Sequence, residues 1–221
     1  MKFSRRFSFD IVFIAIIHIA GIIGIRLFPE LFLKTSFISI VIPLSLFLYR
    51  VKPNRKDSIL MSLVYIIAFF SEWIGVCFGW LFGDYTYGDS LGFKLDDVPI
   101  IIGANWLLLC LVSRELVGKL FSNNFLIIIT SSFLMVLIDV LMEPLSNQLD
   151  FWSWKNNIIP FSNYVDWFLV AILNQSIFSY LDYKSDMNIL LSILDNRSKR
   201  KFSSLFQEVP EVESGIKTFS K

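Results

Sequence analysis

Three carboxylates stand where carboxylates are costly. Glu72 and Asp139 lie deep inside long apolar runs, and Glu143 follows Asp139 by one helical turn. An acid at the centre of a bilayer costs about 2.5–3.5 kcal/mol on insertion scales, so intramembrane acids read as functional groups by default. Asn105 and Trp106 fall in a third apolar run, and Asn163, Asp166 and Trp167 open a fourth. An acid held in an apolar surround favours its neutral form. The chemistry that suits such a group is protonation of an apolar substrate.

The elements that must carry these residues are membrane helices. The chain has 221 residues, 55% of them hydrophobic, and 23 are Phe. Its mean hydropathy is +0.62, and a soluble domain does not carry several apolar runs this long. The fold expected is all-α: a polytopic membrane bundle of about six transmembrane helices. The spans fall at about Phe9–Ile25, Leu33–Tyr49 with a kink at Pro43, Ser58–Phe82, Pro99 to about Ser113, Asn123–Met142 stopped by Pro144, and Tyr164–Leu181. The first span lacks a small-residue cleavage site and reads as retained. Met187–Leu194 is too short to cross and reads as an interfacial helix, followed by a polar tail expected to be disordered. The domains are therefore 1–183, the membrane domain, and 184–221, a cytoplasmic helix and tail.

Lys and Arg set the orientation. With the N-terminus inside, sixteen fall on the cytoplasmic side and only Arg26, Lys34, Lys94 and Lys155 outside. The expected topology is N-in and C-in, in the bacterial inner membrane. On that topology Glu72 lies roughly 16 Å below the outer face and Asn105 and Trp106 roughly 10 Å below it. Asp139 and Glu143, at i and i+4, share one helix face. Acids, amides and tryptophans from four spans converge in the outer leaflet half.

All six tryptophans fall in this region, with Tyr85 and Tyr87. An interfacial aromatic belt accounts for Trp80, Trp152 and Trp154; a belt alone would also populate the inner face, which has little beyond Tyr49 and Tyr183. An aromatic pocket combined with a belt is the reading adopted. Glu72-x-x-Gly75-x-x-x-Gly79-x-x-x-Gly83 reads as a small-residue stripe for close helix packing, or as a slot for a slender ligand beside Glu72. His18 reads as a packed histidine, Asn174 and Gln175 as inter-helix ties, and Asp84, Asp89, Asp96 and Asp97 as a solvated loop surface without calcium-loop spacing.

Other classes are disfavoured. Net charge is +1, which gives no sign of nucleic acid as a partner. One histidine cannot supply a histidine-rich di-iron site. Cys77 and Cys110 lie in apolar runs and indicate neither a disulfide framework nor zinc. No dinucleotide fingerprint follows a strand. A di-iron, zinc, flavin or nicotinamide cofactor is therefore not expected.

Several motifs together resemble the integral-membrane carotenoid biosynthesis protein family, which includes carotenoid hydratases of the γ-carotene and bisanhydrobacterioruberin type. They are Glu72-x-x-Gly75, Gly83-Asp84-Tyr85-Thr86-Tyr87, Pro99 to Asn105-Trp106, Asp139-x-x-x-Glu143-Pro144, Trp152-Ser153-Trp154, and Ile159-Pro160 to Asn163-Tyr164-x-x-Trp167. The resemblance implies addition of water to the terminal double bond of an acyclic carotenoid end group. Either Glu72 or Asp139 would be the acid, and the other, with Glu143 and Asn105, would position water. Trp106, Tyr85, Tyr87 and Trp167 would line the cation site, with Gly75, Gly79, Trp154 and Asn163 among the substrate-binding residues. The partners implied are a carotenoid, the lipid bilayer and other carotenoid-pathway enzymes. Competing readings are a membrane lycopene cyclase, which begins with the same protonation, and a non-enzymatic transporter or scaffold subunit. A prenyltransferase would need a second acidic motif, which is not found.

Overall fold

A computed structural model describes residues 2–180. Its helices, in chain order, are α1 (Lys2–Leu27), α2 (Pro29–Lys34), α3 (Ile38–Val51), α4 (Arg55–Phe78), α5 (Ile101–Val117), α6 (Asn124–Ser146) and α7 (Phe161–Phe178). Four short strands join them: β1 (Tyr85–Tyr87), β2 (Lys94–Leu95), β3 (Val98–Pro99) and β4 (Trp152–Trp154). The expected interfacial helix at Met187–Leu194 and the 184–221 tail lie outside the described residues.

Helices α4 to α7 form a four-helix bundle. Successive helices pack on each other, and α4 closes the ring against α7. α3 lies against α5, and α1 packs on α2 and α3. The bundle is patterned inside out. α6 buries Ser131, Ser132, Met135, Asp139, Glu143 and Ser146, while Phe133, Leu137, Val140 and Leu141 face outward. α4 exposes Ile59, Leu63, Ile66 and Phe70, again along one face. Water would penalise such a surface heavily, whereas lipid matches it. Both helices are long and apolar enough to cross a membrane, and this is the pattern of a membrane protein.

Several expected boundaries move, each for a local reason. α4 begins at Arg55 because Asn54 caps it, its Oδ1 accepting from the Asp57 amide at 2.9 Å. It stops at Phe78 because Gly79 turns left-handed, with φ +66°. Gly83, at φ +110°, lies beyond the helix. The glycine series therefore forms no continuous helical stripe. The second apolar run is interrupted: α2 ends at Lys34 and α3 starts at Ile38, with Thr35 and Ser36 hydroxyls bonded back to Phe32. α3 runs through Pro43 to Val51. Pro99 does not open α5 but sits in β3, paired with Lys94. Pro144 does not stop α6, which continues to Ser146. Pro144 withholds one amide donor only two residues from the end, so little helix remains to be broken.

The strands are what the loops become. β1 pairs with β4 antiparallel, placing Tyr85 opposite Trp154 and Tyr87 opposite Trp152. The two longest connections are thus stitched together over one end of the bundle. Asp150 anchors the seam: its Oδ2 accepts from the Asp89 amide at 2.8 Å and from the Ser90 amide and hydroxyl, each at 3.1 Å. Phe82 is held at φ +65°, an uncommon conformation for a bulky residue. Its amide donates to Asp166 Oδ2 at 2.8 Å, which ties the start of this cap to α7.

Asp150→Ala removes the acceptor of three donors. It should lower unfolding stability by about 1–3 kcal/mol and open the cap to protease cleavage, with Asp150→Asn intermediate. Thermal unfolding in detergent with limited proteolysis checks this, and equal protection in the Ala variant would contradict it.

Candidate active site

The cap and the bundle enclose a cavity of about 200 Å³. Glu72 from α4, Asn105 from α5, Asp139 and Glu143 from α6, and Asn163 and Trp167 from α7 all line it. Tyr85 and Tyr87 from β1 and Trp152 and Trp154 from β4 form its lid. The helix spacing explains the convergence. Asp139 and Glu143 share the buried face of α6, and Asn163 and Trp167 share that of α7.

Glu72 is the most constrained of the acids. Its Oε2 accepts from Tyr85 Oη at 2.6 Å and Tyr87 Oη at 2.7 Å, and its Oε1 from Trp106 Nε1 at 2.8 Å. All three donors are buried. The strand period puts Tyr85 and Tyr87 on one face of β1, with exposed Thr86 pointing away. Gly75 makes this approach fit: a Cβ there would lie 3.0 Å from Tyr85 Oη and from the Leu81 carbonyl. Trp106 itself does not line the cavity. It stands behind Glu72, stacked on Trp167 with ring centroids 3.9 Å apart and planes 18° apart. Gly79 ends α4 and does not line the cavity either.

Glu143 is held by the other strand. Its Oε2 accepts from Trp154 Nε1 at 2.8 Å and Trp152 Nε1 at 3.2 Å. The Asn163 amide reaches both α6 acids, at 3.4 Å from Asp139 Oδ2 and 3.5 Å from Glu143 Oε1. Asp139 is the least engaged. That long Asn163 contact is its only hydrogen bond among the described residues, and Oδ1 makes none. The Asn105 amide, half-buried at the cavity wall, likewise has no side-chain partner among them.

Sequence reasoning missed Phe82, which lines the cavity and lies between Tyr85, Trp106 and Trp167. It also assigned Trp152 to the belt, whereas Trp152 bonds Glu143. The alternation in Tyr85-Thr86-Tyr87 and Trp152-Ser153-Trp154 was the available signal, since period two marks a strand. Ser39 and Ile40 bring α3 to the cavity wall; nothing in their residue types signals this. Among the described residues no group of three or more His, Cys, Asp and Glu side chains is placed to hold a metal ion.

This arrangement can do acid–base chemistry on an apolar molecule. It sets a lightly bonded carboxyl and a free amide against aromatic faces, within a wall that is mostly carbon. Burial, and then the neighbouring Glu72, raise the Tyr85 and Tyr87 hydroxyls well above the usual tyrosine range. Both therefore hold their protons, and both remain donors, at ordinary pH. Their stabilising contribution is complete below the unfolded value near about 10 and is lost as the pH rises through the higher folded value. A spectrophotometric titration should show two tyrosines that ionise only as the chain unfolds, and Tyr85→Phe/Tyr87→Phe should lose that late step. A wild-type curve in which every tyrosine titrates near about pH 10 without unfolding would contradict the clamp.

Comparison with known proteins bears on the substrate. Residues 33–192 match the family model described as "Carotenoid biosynthesis protein". The chain is also 27% identical over 131 residues to the bisanhydrobacterioruberin hydratase of Haloarcula japonica. That match covers 54% of this chain and 45% of the relative, so it spans about half of the relative's length. No solved structure matches the chain. The family match extends over most of the sequence and includes every residue that lines the cavity, so the chain belongs to the carotenoid biosynthesis protein family.

Proposed function

We propose that this protein hydrates the terminal double bond of an acyclic carotenoid end group, without a cofactor, and that Asp139 is the acid. The family membership and the distant hydratase support a role in the carotenoid pathway. The observation that carries the assignment is the difference between the two deep acids. Glu72 has both oxygens occupied by three donors, whereas Asp139 lines the cavity with Oδ1 unbonded. Only a carboxyl with an open oxygen can bring a proton to a substrate atom.

In this reaction the Asp139 carboxyl gives its proton to the less substituted alkene carbon. The π electrons form the new C–H bond and leave a tertiary cation. The faces of Trp154, Trp167 and Tyr85 stabilise that cation. A water held by the Asn105 amide and Glu143 attacks it, forming the C–O bond, and Glu143 takes the released proton. Glu143 and Asp139 lie one turn apart and share the Asn163 amide. That proximity returns the proton to Asp139 and closes the cycle.

The setting we propose is residues 1–183 as a multi-pass membrane domain. α1, α3, α4, α5, α6 and α7 are its six spans, with the N-terminus inside and the cavity in the outer leaflet half. The placement of Lys and Arg supports this orientation. The plasma membrane is the proposed location.

A membrane cyclase would begin with the same proton transfer and then close a ring. The Asn105 amide, with no side-chain partner among the described residues, favours hydration, because a polar group facing the cation would deliver water where a cyclase must exclude it. Expression in a lycopene-producing host tests both readings. A tertiary alcohol is the expected product, and a ring isomer would identify a cyclase. Asp139→Asn should abolish the product while the chain still inserts. Glu72→Gln, which disturbs the Tyr85–Tyr87 lid rather than the proton donor, should reduce it about 10²-fold. Full activity in Asp139→Asn would overturn the assignment. A pigment profile unchanged by the native chain, across several acyclic carotenoids, would favour a transport or scaffold role.

A further inference from the structure

The cavity has a side that the acid chemistry does not use. α3 and α6 both pack on α5, while α3 also packs on α1 and α6 on α7. Each nevertheless reaches the same cavity, α3 through Ser39 and Ile40 and α6 through Ile138 and Met142. One face of α5 starts at that shared wall and is left open. It carries Asn105, Leu109, Val112 and Leu116, spaced i, i+4, i+7 and i+11, and so on one face. Asn105 and Leu109 are half-buried at the cavity wall, and Val112 and Leu116 are 41% and 49% exposed. The neighbouring Trp106, Leu107, Cys110, Leu111 and Ser113 are buried, and Leu108 and Glu115 flank the row half-buried. The row runs about 16 Å along the helix, roughly half the thickness of a hydrocarbon core of about 30 Å.

Size then decides what enters and what stays outside. The cavity is about 200 Å³, below the roughly 300–1,000 Å³ of pockets that enclose a whole drug-sized ligand. It accommodates an end group and a water, not a long polyene. We propose that the seam between α3 and α6 is a lateral groove for the substrate's polyene chain. The substrate enters sideways from the bilayer, with its end group beside Asn105 and Asp139. The chain then lies along Leu109, Val112 and Leu116. This rests on the carotenoid reading above and adds a specificity rule. The groove requires a slender, extended stretch next to the reacting end and places no demand on the far end. Each end of a symmetric carotenoid must therefore dock separately.

Filling the groove tests this. Val112→Trp and Leu116→Trp project bulk into the seam from positions that already face outward. Two readouts are needed: lycopene retained by the full chain purified in detergent, measured by its absorption, and conversion of added substrate. Both variants should lower lycopene retention and hydration by about tenfold or more. Hydration of a short isoprenoid alkene with the same end group should stay within about twofold of the unsubstituted chain. Unchanged lycopene retention in both variants overturns the groove, as does an equal loss with the long and short substrates. A photo-crosslinker at Val112 that captures phospholipid acyl chains and no carotenoid also overturns it. If the native chain retains lycopene, loses it in the Trp variants and yet hydrates nothing, the groove stands and the hydration reading fails.

Discussion

The buried Glu72 carboxylate and its three donors hold the rest of the site in place. A charge-bearing group inside an apolar bundle is tolerable only when its oxygens are satisfied. Satisfying Glu72 recruits Tyr85 and Tyr87 from outside the bundle and Trp106 from α5. This draws the chain after α4 down over the helix ends. β1 then serves as the template for β4. β4 in turn delivers Trp152 and Trp154 to Glu143, so each lid strand is secured to an acid on a different helix. Remove the first clamp and the second loses its scaffold.

The two clamps divide labour among carboxylates of similar chemistry. Glu72 and Glu143 are engaged by aromatic donors, and Asp139 between them is left with one long contact. A group that is both buried and under-bonded stores reactivity at the cost of stability, a trade expected at functional sites. The aromatic residues serve twice. Their polar edges hold the acids, while their faces form the wall that a cation would meet. That dual use needs tryptophan and tyrosine, which combine an apolar body with a polar handle.

The bundle's inverted patterning serves the same end. Ser131, Ser132, Asn174 and Gln175 lie inside, with Gln175 Nε2 tied to the Cys110 carbonyl at 3.1 Å and to Ser113 Oγ at 3.0 Å. Leucines, isoleucines and phenylalanines cover the outside. A lipid environment therefore matches the outside, and these polar side chains are turned inward.

Much of this was legible in the residues themselves. Apolar runs long enough to be helices, the cost of an acid within them, and the i, i+4 spacing of Asp139 and Glu143 are local properties. They put Glu72, Asn105, Asp139 and Glu143 in the same leaflet half, and all four line one cavity. Helix ends were legible only where a local signal dominates, as with Asn123, whose Oδ1 accepts from the Phe125 and Leu126 amides. They were missed where the signal was ambiguous, as at Gly79 and Pro144. What only the tertiary structure decided was pairing. Tyr85 and Trp154 are far apart in sequence, and nothing in either segment names its partner. Register between distant strands is set by side chains meeting across the fold, here by the need to bond Glu72 and Glu143. The same holds for the contrast between Glu72 and Asp139. Residue type makes each a carboxyl, and only the three donors folded around Glu72, against one long contact at Asp139, set the two apart.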